Sequence, residues 1–256
     1  MLPLSKAKLK LFASLTVKKY RHQHRMFIVE GEKMCREAIT SGWPVEALIV
    51  RQGEAPDQVH PDIPFFEAQE AEIRQLSSQQ HPEGWVAIVR FPDASFEKPV
   101  PAGVLPPGRG ILLDQITDPG NLGTILRLAD WFGINWVIAS PDTVDWLNPK
   151  ALRSSMGAVF RVKFQYAADW PSQVAAAPHR VWVADMNGED LRQVIPATDT
   201  VILIGNEARG VSASVRALNG VRRVTIPRIG GAESLNAATA TAILVWHLQT
   251  ADKSQV

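Results

Sequence analysis

The sequence predicts an α/β protein in which a small α/β domain precedes a larger domain with a mostly parallel sheet. Short apolar runs typical of buried strands alternate with helical segments from residue 26 to the C-terminal region. A proline-rich segment, residues 92–108, lacks both helical and strand periodicity and divides the chain. Two strands near the end of the chain, Val201–Ile204 and Val224–Ile226, run into polar, glycine-containing loops. Open α/β sheets bind ligands beyond the carboxyl ends of their strands, so we place the active site there.

The first domain is predicted from an alternation of strands and helices between residues 26 and 89. Its helices are expected at 31–40, ending at Gly42, and at about 68–76. We assign residues 1–95 to this domain and residues 96–108 to a semi-rigid linker. Its strands are expected at Met26–Glu30, Ala47–Val50, Phe65–Phe66 and Trp85–Val89.

The second domain is assigned to residues 109–256. Asp118-Pro119 predicts a helix start, with an acid as the N-cap and proline in the first turn. The apolar stripe of this helix leaves Arg127 on the opposite side, pointing away from its own core. A further helix is expected from Asn148, and further strands at Trp136–Ala139 and Val181–Asp185. Because strand follows helix repeatedly, the sheet is expected to be mostly parallel.

The last predicted helix, Leu235–Leu248, is apolar on nearly every side. A helix that is hydrophobic all round must be buried all round. At the end of a chain, its outer face is most simply covered by a second subunit. The sequence therefore predicts a homodimer through the C-terminal domain.

Composition excludes several classes of protein. The 256 residues are 46% hydrophobic and 21% charged, with a net charge of +1, so any nucleic-acid surface must be local. Cys35 is the single cysteine, which rules out an internal disulfide framework and any multi-cysteine metal site. No apolar run approaches the roughly 20 residues that span a bilayer. We expect a cytoplasmic protein with no membrane segment and no metal.

Residues 1–25 carry seven Lys or Arg and no Asp or Glu. Two interpretations stay open: an arm that contacts phosphates, and a solvated basic helix face that touches nothing. Charge alone favours the second. Two further cations, Lys150 and Arg153, lie in the helix that begins at Asn148. The candidates for RNA phosphate contact are Lys18, Lys19, Arg21, Arg25, Lys150 and Arg153.

Four segments resemble one known family. D-P-G-N-L-G-T-I-L-R (118–127), G-N-E-A-R-G (205–210) and I-P-R-I-G-G-A-E-S-L-N-A-A-T-A (226–240) resemble motifs 1, 2 and 3 of the SpoU/TrmH family. R-M-F-I-V-E-G-E-K-M-C-R-E-A-I (25–39) resembles the start of that family's substrate-binding domain, which is similar to the ribosomal protein L30e fold. The family comprises S-adenosylmethionine-dependent RNA 2'-O-ribose methyltransferases that dimerise and hold the cofactor in a trefoil knot.

The resemblance implies roles for individual residues. The cofactor would bind at Gly205, Ile226 and Leu235. The resemblance also favours RNA as the partner, with ribosomal RNA preferred over transfer RNA because of the first domain. The residues implied in catalysis are Asn121, Arg127, Glu207, Ser234 and Asn236.

The chemistry of the implied reaction is demanding, because a ribose 2'-hydroxyl must lose its proton as it attacks. Arg127 is the residue that the family pattern makes catalytic. Arginine is normally always charged, so it suits phosphate binding and stabilisation of the developing alkoxide better than proton removal. We leave open whether Arg127 is a base or an electrostatic stabiliser. Glu207 is expected to orient Asn121 or Arg127, while Ser234 and Asn236 have a simpler alternative role as helix caps.

Other functions remain as alternatives. The chain has neither a G-x-G-x-x-G after a strand nor a G-x-x-x-x-G-K-[ST]. These motifs form the phosphate-binding loops of dinucleotide and nucleoside-triphosphate sites, so the sequence argues against both functions. The alternatives are a transfer-RNA methyltransferase, a non-catalytic RNA-binding or ribosome-assembly protein, and a small-molecule α/β enzyme. The presence of all five implied catalytic residues argues against the non-catalytic alternative. Binding of S-adenosylmethionine would distinguish a methyltransferase from the small-molecule α/β enzyme.

Overall fold

The structure of this protein is a computed structural model that describes residues 2–54, 60–93 and 98–250. The described residues form two compact units. The first holds the residues up to 93 together with Asp145–Phe160. The second holds 98–144 and the residues from Arg161 onward.

Strands and helices alternate along both units, as the sequence predicts. The strands are β1 (Leu2–Pro3), β2 (Met26–Glu30), β3 (Val45–Arg51), β4 (Phe65–Ala68), β5 (Trp85–Arg90), β6 (Gly110–Leu113), β7 (Trp136–Ala139), β8 (Lys163–Tyr166), β9 (Val181–Asp190), β10 (Val201–Ile204) and β11 (Arg222–Thr225). The α-helices are α1 (Lys6–Ser14), α2 (Lys18–His24), α3 (Glu32–Thr40), α4 (Glu70–Leu76), α5 (Pro119–Trp131), α6 (Pro149–Ser155), α7 (Trp170–Ala175), α8 (Ala213–Arg216) and α9 (Ala237–Thr250). Short 3-10 helices lie at Ala158–Phe160, Pro178–Arg180 and Leu191–Gln193.

The first unit is built on a five-stranded mixed sheet with the order β1-β4-β3-β5-β2. Strand β4 runs parallel to β1 and β3, whereas β5 is antiparallel to β3 and β2. Every residue of β2 is buried, because helices cover this edge of the sheet. The sheet and its helices match the small α/β domain that the sequence predicts.

The basic N-terminal segment is folded into helices α1 and α2 and is not an extended arm. Ser5 caps α1 by accepting a hydrogen bond from the Lys8 amide. Phe12 and Leu15 are buried in the core of the first unit. Because these apolar side chains alternate with the cations, the segment forms two helices that pack on the unit and expose part of their charge.

Residues 145–160 belong to the first unit, although the sequence boundary assigns them to the second domain. Helix α6 begins at an N-cap, since the Asn148 side chain accepts from the Lys150 amide. Its apolar residues Ala151 and Leu152 are buried, and the helix packs on β2. The rings of Phe160 and Trp43 meet edge to face with centroids 5.3 Å apart. The domain limits 1–95 and 109–256 therefore stay predictions, and this segment groups with the first unit.

The second unit is built on a six-stranded, all-parallel sheet with the order β11-β9-β10-β6-β7-β8. This confirms the predicted parallel sheet. Strands β6 and β10 are neighbours at its centre, and both are wholly buried. Their carboxyl ends lie side by side, because Leu113 pairs with Ile204. The segments that follow the two strands are consequently adjacent.

The predicted linker is more ordered than a spacer. Residues 96 and 97 lie outside the described residues, but 98–108 pack on the second unit. Val100 pairs with Ala167 and is buried. The indole N–H of Trp136 donates to the Pro107 carbonyl over 3.2 Å, and Arg180 donates to the Pro106 carbonyl over 3.1 Å. Its prolines leave backbone carbonyls without helix or strand partners, and these side chains satisfy them.

Within the described ranges 2–54, 60–93 and 98–250, no helix is long and apolar enough to cross a membrane.

Candidate active site

A buried carboxylate fastens the loop that follows β10 to the turn that follows β6. Asp114 has no exposed surface, and its Oδ2 accepts from the Ser212 amide over 2.6 Å. Its own amide donates to the Ile204 carbonyl over 2.8 Å. The Asn206 side chain donates to the Gln115 carbonyl over 3.0 Å. These bonds fix residues 205–212 at the carboxyl ends of two central strands, where open α/β sheets bind ligands.

The loop closes tightly on itself at Gly205. A Cβ at this position would lie 2.5 Å from the carbonyl carbon of Gly210 and 2.6 Å from the Val211 nitrogen. Asn206 and Gly210 exchange two backbone hydrogen bonds of 3.0 and 2.9 Å. The Asn206 Oδ1 accepts from the amides of Ala208 and Arg209. Only glycine lets the two sides of the loop approach this closely.

Three side chains from the three motif segments form one hydrogen-bonded chain. Asn121, in the first turn of α5, donates from Nδ2 to Oε1 of Glu207. Its Oδ1 accepts from Nδ2 of Asn236 over 2.8 Å. Asn236 also caps α9, because its Oδ1 accepts from the amides of Ala238 and Thr239. The structure thus brings together three of the five residues implied in catalysis, and of the two partners suggested for Glu207 it shows a hydrogen bond with Asn121.

Local sequence explains where Asn121 lies. Asp118 is the N-cap of α5 and accepts from the Asn121 amide over 2.8 Å, and Pro119 follows in the first turn. A cap acid and an early proline fix where a helix begins. The Asn121 side chain therefore leaves the helix at a defined point, beside the loop after β10.

The remaining predicted site residues are more exposed to solvent. Ser234 and Leu235 are exposed, whereas Ile226 is half-buried. The predicted cofactor residues lie in connecting segments of the second unit. Gly205 directly follows β10, Ile226 directly follows β11, and Leu235 lies two residues before α9. Asn236, rather than Ser234, supplies the helix cap.

Arg127 does not join the hydrogen-bonded chain within one subunit. It is exposed on α5, whose buried side carries Leu122, Ile125 and Ala129, so the predicted direction of its side chain agrees with the structure. Its guanidinium has no hydrogen bond or ion pair with any residue in the part of the chain that the structure describes. Trp131, four residues later on the same helix face, is 81% exposed.

The predicted phosphate contacts divide into two groups. Lys18, Lys19 and Lys150 are exposed and all lie on the first unit. The second group, the three arginines, makes the following contacts with protein groups. Arg21 is buried and paired with Asp145. Arg153 pairs with Glu30 over 3.2 Å, and Arg25 donates to the Asp93 carbonyl over 2.6 Å and lies over the Phe91 ring. Arg21 in particular cannot present its charge to a ligand, because it is only 3% exposed.

Sequence reasoning missed the residues that hold the site loop. Asp114 and Asn206 are not among the predicted site residues. Asp114 directly follows a fully apolar strand, and a buried carboxylate there needs a hydrogen-bond partner, so its position was a usable signal. In the part of the chain that the structure describes, no group of three or more His, Cys, Asp or Glu is placed to hold a metal ion.

An all-parallel sheet with polar groups gathered at the ends of its central strands is typical of α/β proteins that bind a ligand there. Residues 109–246 match the SpoU rRNA Methylase family, and residues 6–87 match the MRM3-like substrate binding domain. The chain belongs to the SpoU rRNA methylase family. It is an S-adenosylmethionine-dependent RNA 2'-O-methyltransferase, which confirms the activity and cofactor that the resemblance implies.

Relatives and solved structures cover nearly the whole chain. The 23S rRNA (guanosine(2553)-2'-O)-methyltransferase RlmP of Bacillus subtilis is 30% identical, over 94% of this chain and 96% of its own. An rRNA methyltransferase from Sinorhizobium meliloti with bound AdoMet has a TM-score of 0.80 at 29% identity, covering 97% of this chain and 96% of that one. AviRb from Streptomyces viridochromogenes, in complex with AdoMet, has a TM-score of 0.78 at 28% identity, covering 95% and 97%.

Proposed function

We propose that this enzyme methylates the ribose 2'-hydroxyl of one nucleotide of ribosomal RNA. The observation that carries the proposal is the chain Glu207–Asn121–Asn236, which links the three motif segments at the ends of the parallel strands. The substrate class is supported by two relatives named as 23S rRNA methyltransferases, which this chain matches over 96% and 80% of their lengths. Methylation of transfer RNA is the competing outcome of the test below.

The connecting segments fit the cofactor. S-adenosylmethionine supplies an electrophilic methyl group on a sulfonium centre. The close approach at Gly205 leaves room for backbone groups but not for a side chain. Ile226 and Leu235 add apolar surface that is not fully covered, which suits an adenine ring. We assign cofactor binding to these three residues.

Arg127 is assigned to the phosphate and the developing alkoxide of the substrate. Its guanidinium is permanently charged and has no internal partner in the described residues, so it is available to an anion. Stabilising charge that develops in the transition state needs no proton transfer from the arginine. Glu207 holds Asn121 in place, and Asn236 completes the hydrogen-bonded chain while capping α9. Ser234 is exposed two residues before Asn236 and is assigned to the ribose.

Two copies of the chain form the active enzyme in this proposal. Trp246 and Ile243 on α9 are 58% and 37% exposed, and Trp131 on α5 is more exposed still. The Trp246 ring contacts Phe132, with centroids 6.3 Å apart, so the aromatic surface continues from α9 onto α5. Exposed apolar surface of this kind is typical of interfaces. Arg127 lies on the same face of α5 as Trp131, so covering this face with a second copy directs Arg127 towards the partner.

The first unit selects the RNA in this proposal. Its exposed cations Lys18, Lys19 and Lys150 are placed to contact phosphates, which contribute affinity without reading sequence. A ribosomal RNA substrate and a single, buried cysteine favour the cytoplasm as the compartment.

Replacement of Arg127 tests the assignment. Arg127→Ala should keep its melting temperature and its affinity for S-adenosylmethionine, because surface changes cost within about 0.5 kcal/mol, but lose methyl transfer. Arg127→Lys should recover little, because a point charge cannot reproduce a planar fork. Arg192→Ala, another exposed arginine, is the matched control and should retain activity. The assay is methylation of ribosomal and transfer RNA from a deletion strain, with the product nucleotide mapped by mass spectrometry.

Full activity in Arg127→Ala would remove this residue from the mechanism. Methylation of transfer RNA alone would overturn the substrate assignment and leave the catalytic one standing. Partial activity from a mixture of Arg127→Ala and Gly205→Val subunits, each inactive alone, would support the arrangement in which Arg127 serves its partner.

A further inference from the structure

Two polar anchors fasten residues 145–160 to the first unit. In the first, Arg21 donates to Asp145 Oδ2 over 2.5 Å, and the two side chains are only 3% and 8% exposed. Arg21 also donates to the carbonyls of Leu15 and Thr16, at 3.0 and 2.9 Å. The second oxygen of Asp145 accepts from the Leu147 amide over 3.0 Å. The pair therefore ties helix α2 to the start of the 145–160 segment.

The second anchor is the carboxylate of Glu30, at the end of β2. Its side chain is 4% exposed and accepts from Arg153 over 3.2 Å. It also accepts from the hydroxyls of Ser77 and Ser78 and from the Gln79 amide group. Arg153 in turn donates to the Ser78 hydroxyl over 2.9 Å. This carboxylate thus joins α6, β2 and the segment after α4.

Both anchors pair a buried carboxylate with an arginine. A buried ion pair is often no better than apolar side chains of the same volume, because desolvating two charges offsets their attraction. What such a pair imposes is a defined position, since each charge must meet its partner. Between the two anchored residues, 145 and 153, lies the exposed cation Lys150 in the first turn of α6. The helix that provides Arg21 is the one that carries Lys18 and Lys19.

We propose that Arg21–Asp145 and Glu30–Arg153 are positioning pairs for RNA binding. They hold α6 against the first unit, so that Lys150 binds phosphate together with Lys18 and Lys19 as one surface. The inference rests on the proposed function, in which the first unit binds RNA. It gives Arg21 and Arg153 an indirect role in place of the phosphate contact that their sequence positions suggest.

A double-mutant cycle between Lys150 and the anchors tests the proposal. The background is Asp145→Asn with Glu30→Gln, which removes both charges and retains shape. The readout is the dissociation constant of the full-length protein for a ribosomal RNA transcript, measured by fluorescence anisotropy over a range of salt concentrations. In wild type, Lys150→Ala should weaken binding and reduce the salt slope by about 1. In the background lacking both charges, Lys150→Ala should leave the slope unchanged.

The matched control is Lys18→Ala, which should have the same effect in both backgrounds because Lys18 lies on α2 itself. Affinity for S-adenosylmethionine should be equal in all variants. A second background combines Arg21→Met and Asp145→Leu with Glu30→Gln, so that neither ion pair remains and no buried charge is left unpaired at the first anchor, and it should give the same loss of coupling. An equal effect of Lys150→Ala in every background would overturn the positioning role while leaving RNA binding intact. Wild-type protein that binds no RNA would instead overturn the proposed function along with it.

Discussion

Adding one methyl group at Gly205 should weaken cofactor binding without unfolding the protein. The new Cβ of Gly205→Ala would lie 2.5 Å from the Gly210 carbonyl carbon and 2.6 Å from the Val211 nitrogen. Both are backbone atoms, so no side-chain rotation relieves the clash. The loop itself must move.

The structure sets the size of the effect. Overpacking typically costs about 1–3 kcal/mol. Losing the two backbone hydrogen bonds between Asn206 and Gly210 would cost a similar amount, at roughly 1 kcal/mol each. If that free energy is needed to restore the loop before ligand binds, the dissociation constant for S-adenosylmethionine rises about 5- to 150-fold, since 1.4 kcal/mol is tenfold.

Isothermal titration with S-adenosylmethionine measures this change, with circular dichroism as the check on folding. Gly230→Ala is the matched control, because a Cβ at Gly230 has no atom within 4 Å and its backbone suits any residue. Gly205→Ala should bind weakly and Gly230→Ala should bind like wild type. Wild-type affinity in Gly205→Ala would show that residues 205–210 do not bound the cofactor site.

Three further predictions follow from other parts of the second unit. Asp114→Ala removes the acceptor for the Ser212 amide, so it should lower cofactor affinity about tenfold, as titration would show, and equal affinity would contradict it. Trp246→Glu with Ile243→Glu should convert a dimer to monomers in sedimentation, and a wild-type monomer at micromolar concentration would refute the interface. Asp185 is partly buried, which raises its pKa, but hydrogen bonds from the Asn187 amide and Arg223 outweigh burial and the net pKa is lowered. The stability from this pair is present above the unfolded pKa and is lost as pH falls through the lower folded value. Arg223→Met should therefore reduce the melting temperature at pH 7, and the reduction should begin to shrink only as the pH falls below about 3.8, leaving the part that comes from the lost bond to the Arg216 carbonyl. A reduction of the same size at neutral and at strongly acid pH would contradict this.

Much of the fold was predictable because its strands are short, apolar and buried. Strands such as β2, β7 and β10 match their predicted ranges to within a residue. The start of α5 was predictable for a local reason, namely the Asp118 cap followed by proline. Buried parallel strands and helix caps leave signals within a few adjacent residues, so no knowledge of distant contacts is needed.

Other features depend on contacts far along the chain, and the sequence gives no local sign of them. Strand β8, at the edge of the sheet, has an exposed first residue, Lys163, and only one buried side chain, so it lacks a continuous apolar run. Arg21 looks like any cation in a basic segment until Asp145, more than a hundred residues later, is seen to pair with it. Grouping residues 145–160 with the first unit depends on such distant pairs, which composition and periodicity do not reveal.

The hydrogen-bonded chain at the site shows why motif identity and geometry must be considered together. Asn121 uses both ends of its amide, donating to Glu207 and accepting from Asn236. An aspartate at 121 would lose the donor and set two carboxylates against each other, whereas a hydrophobic residue would remove both hydrogen bonds that join the segments. The amide is therefore required by its two neighbours, independently of any contact with substrate. A role for Asn121 in catalysis must accordingly be separated from its role in joining the three segments. An Asn121 variant that loses methyl transfer but keeps cofactor affinity would indicate the first role, and one that loses both would indicate the second.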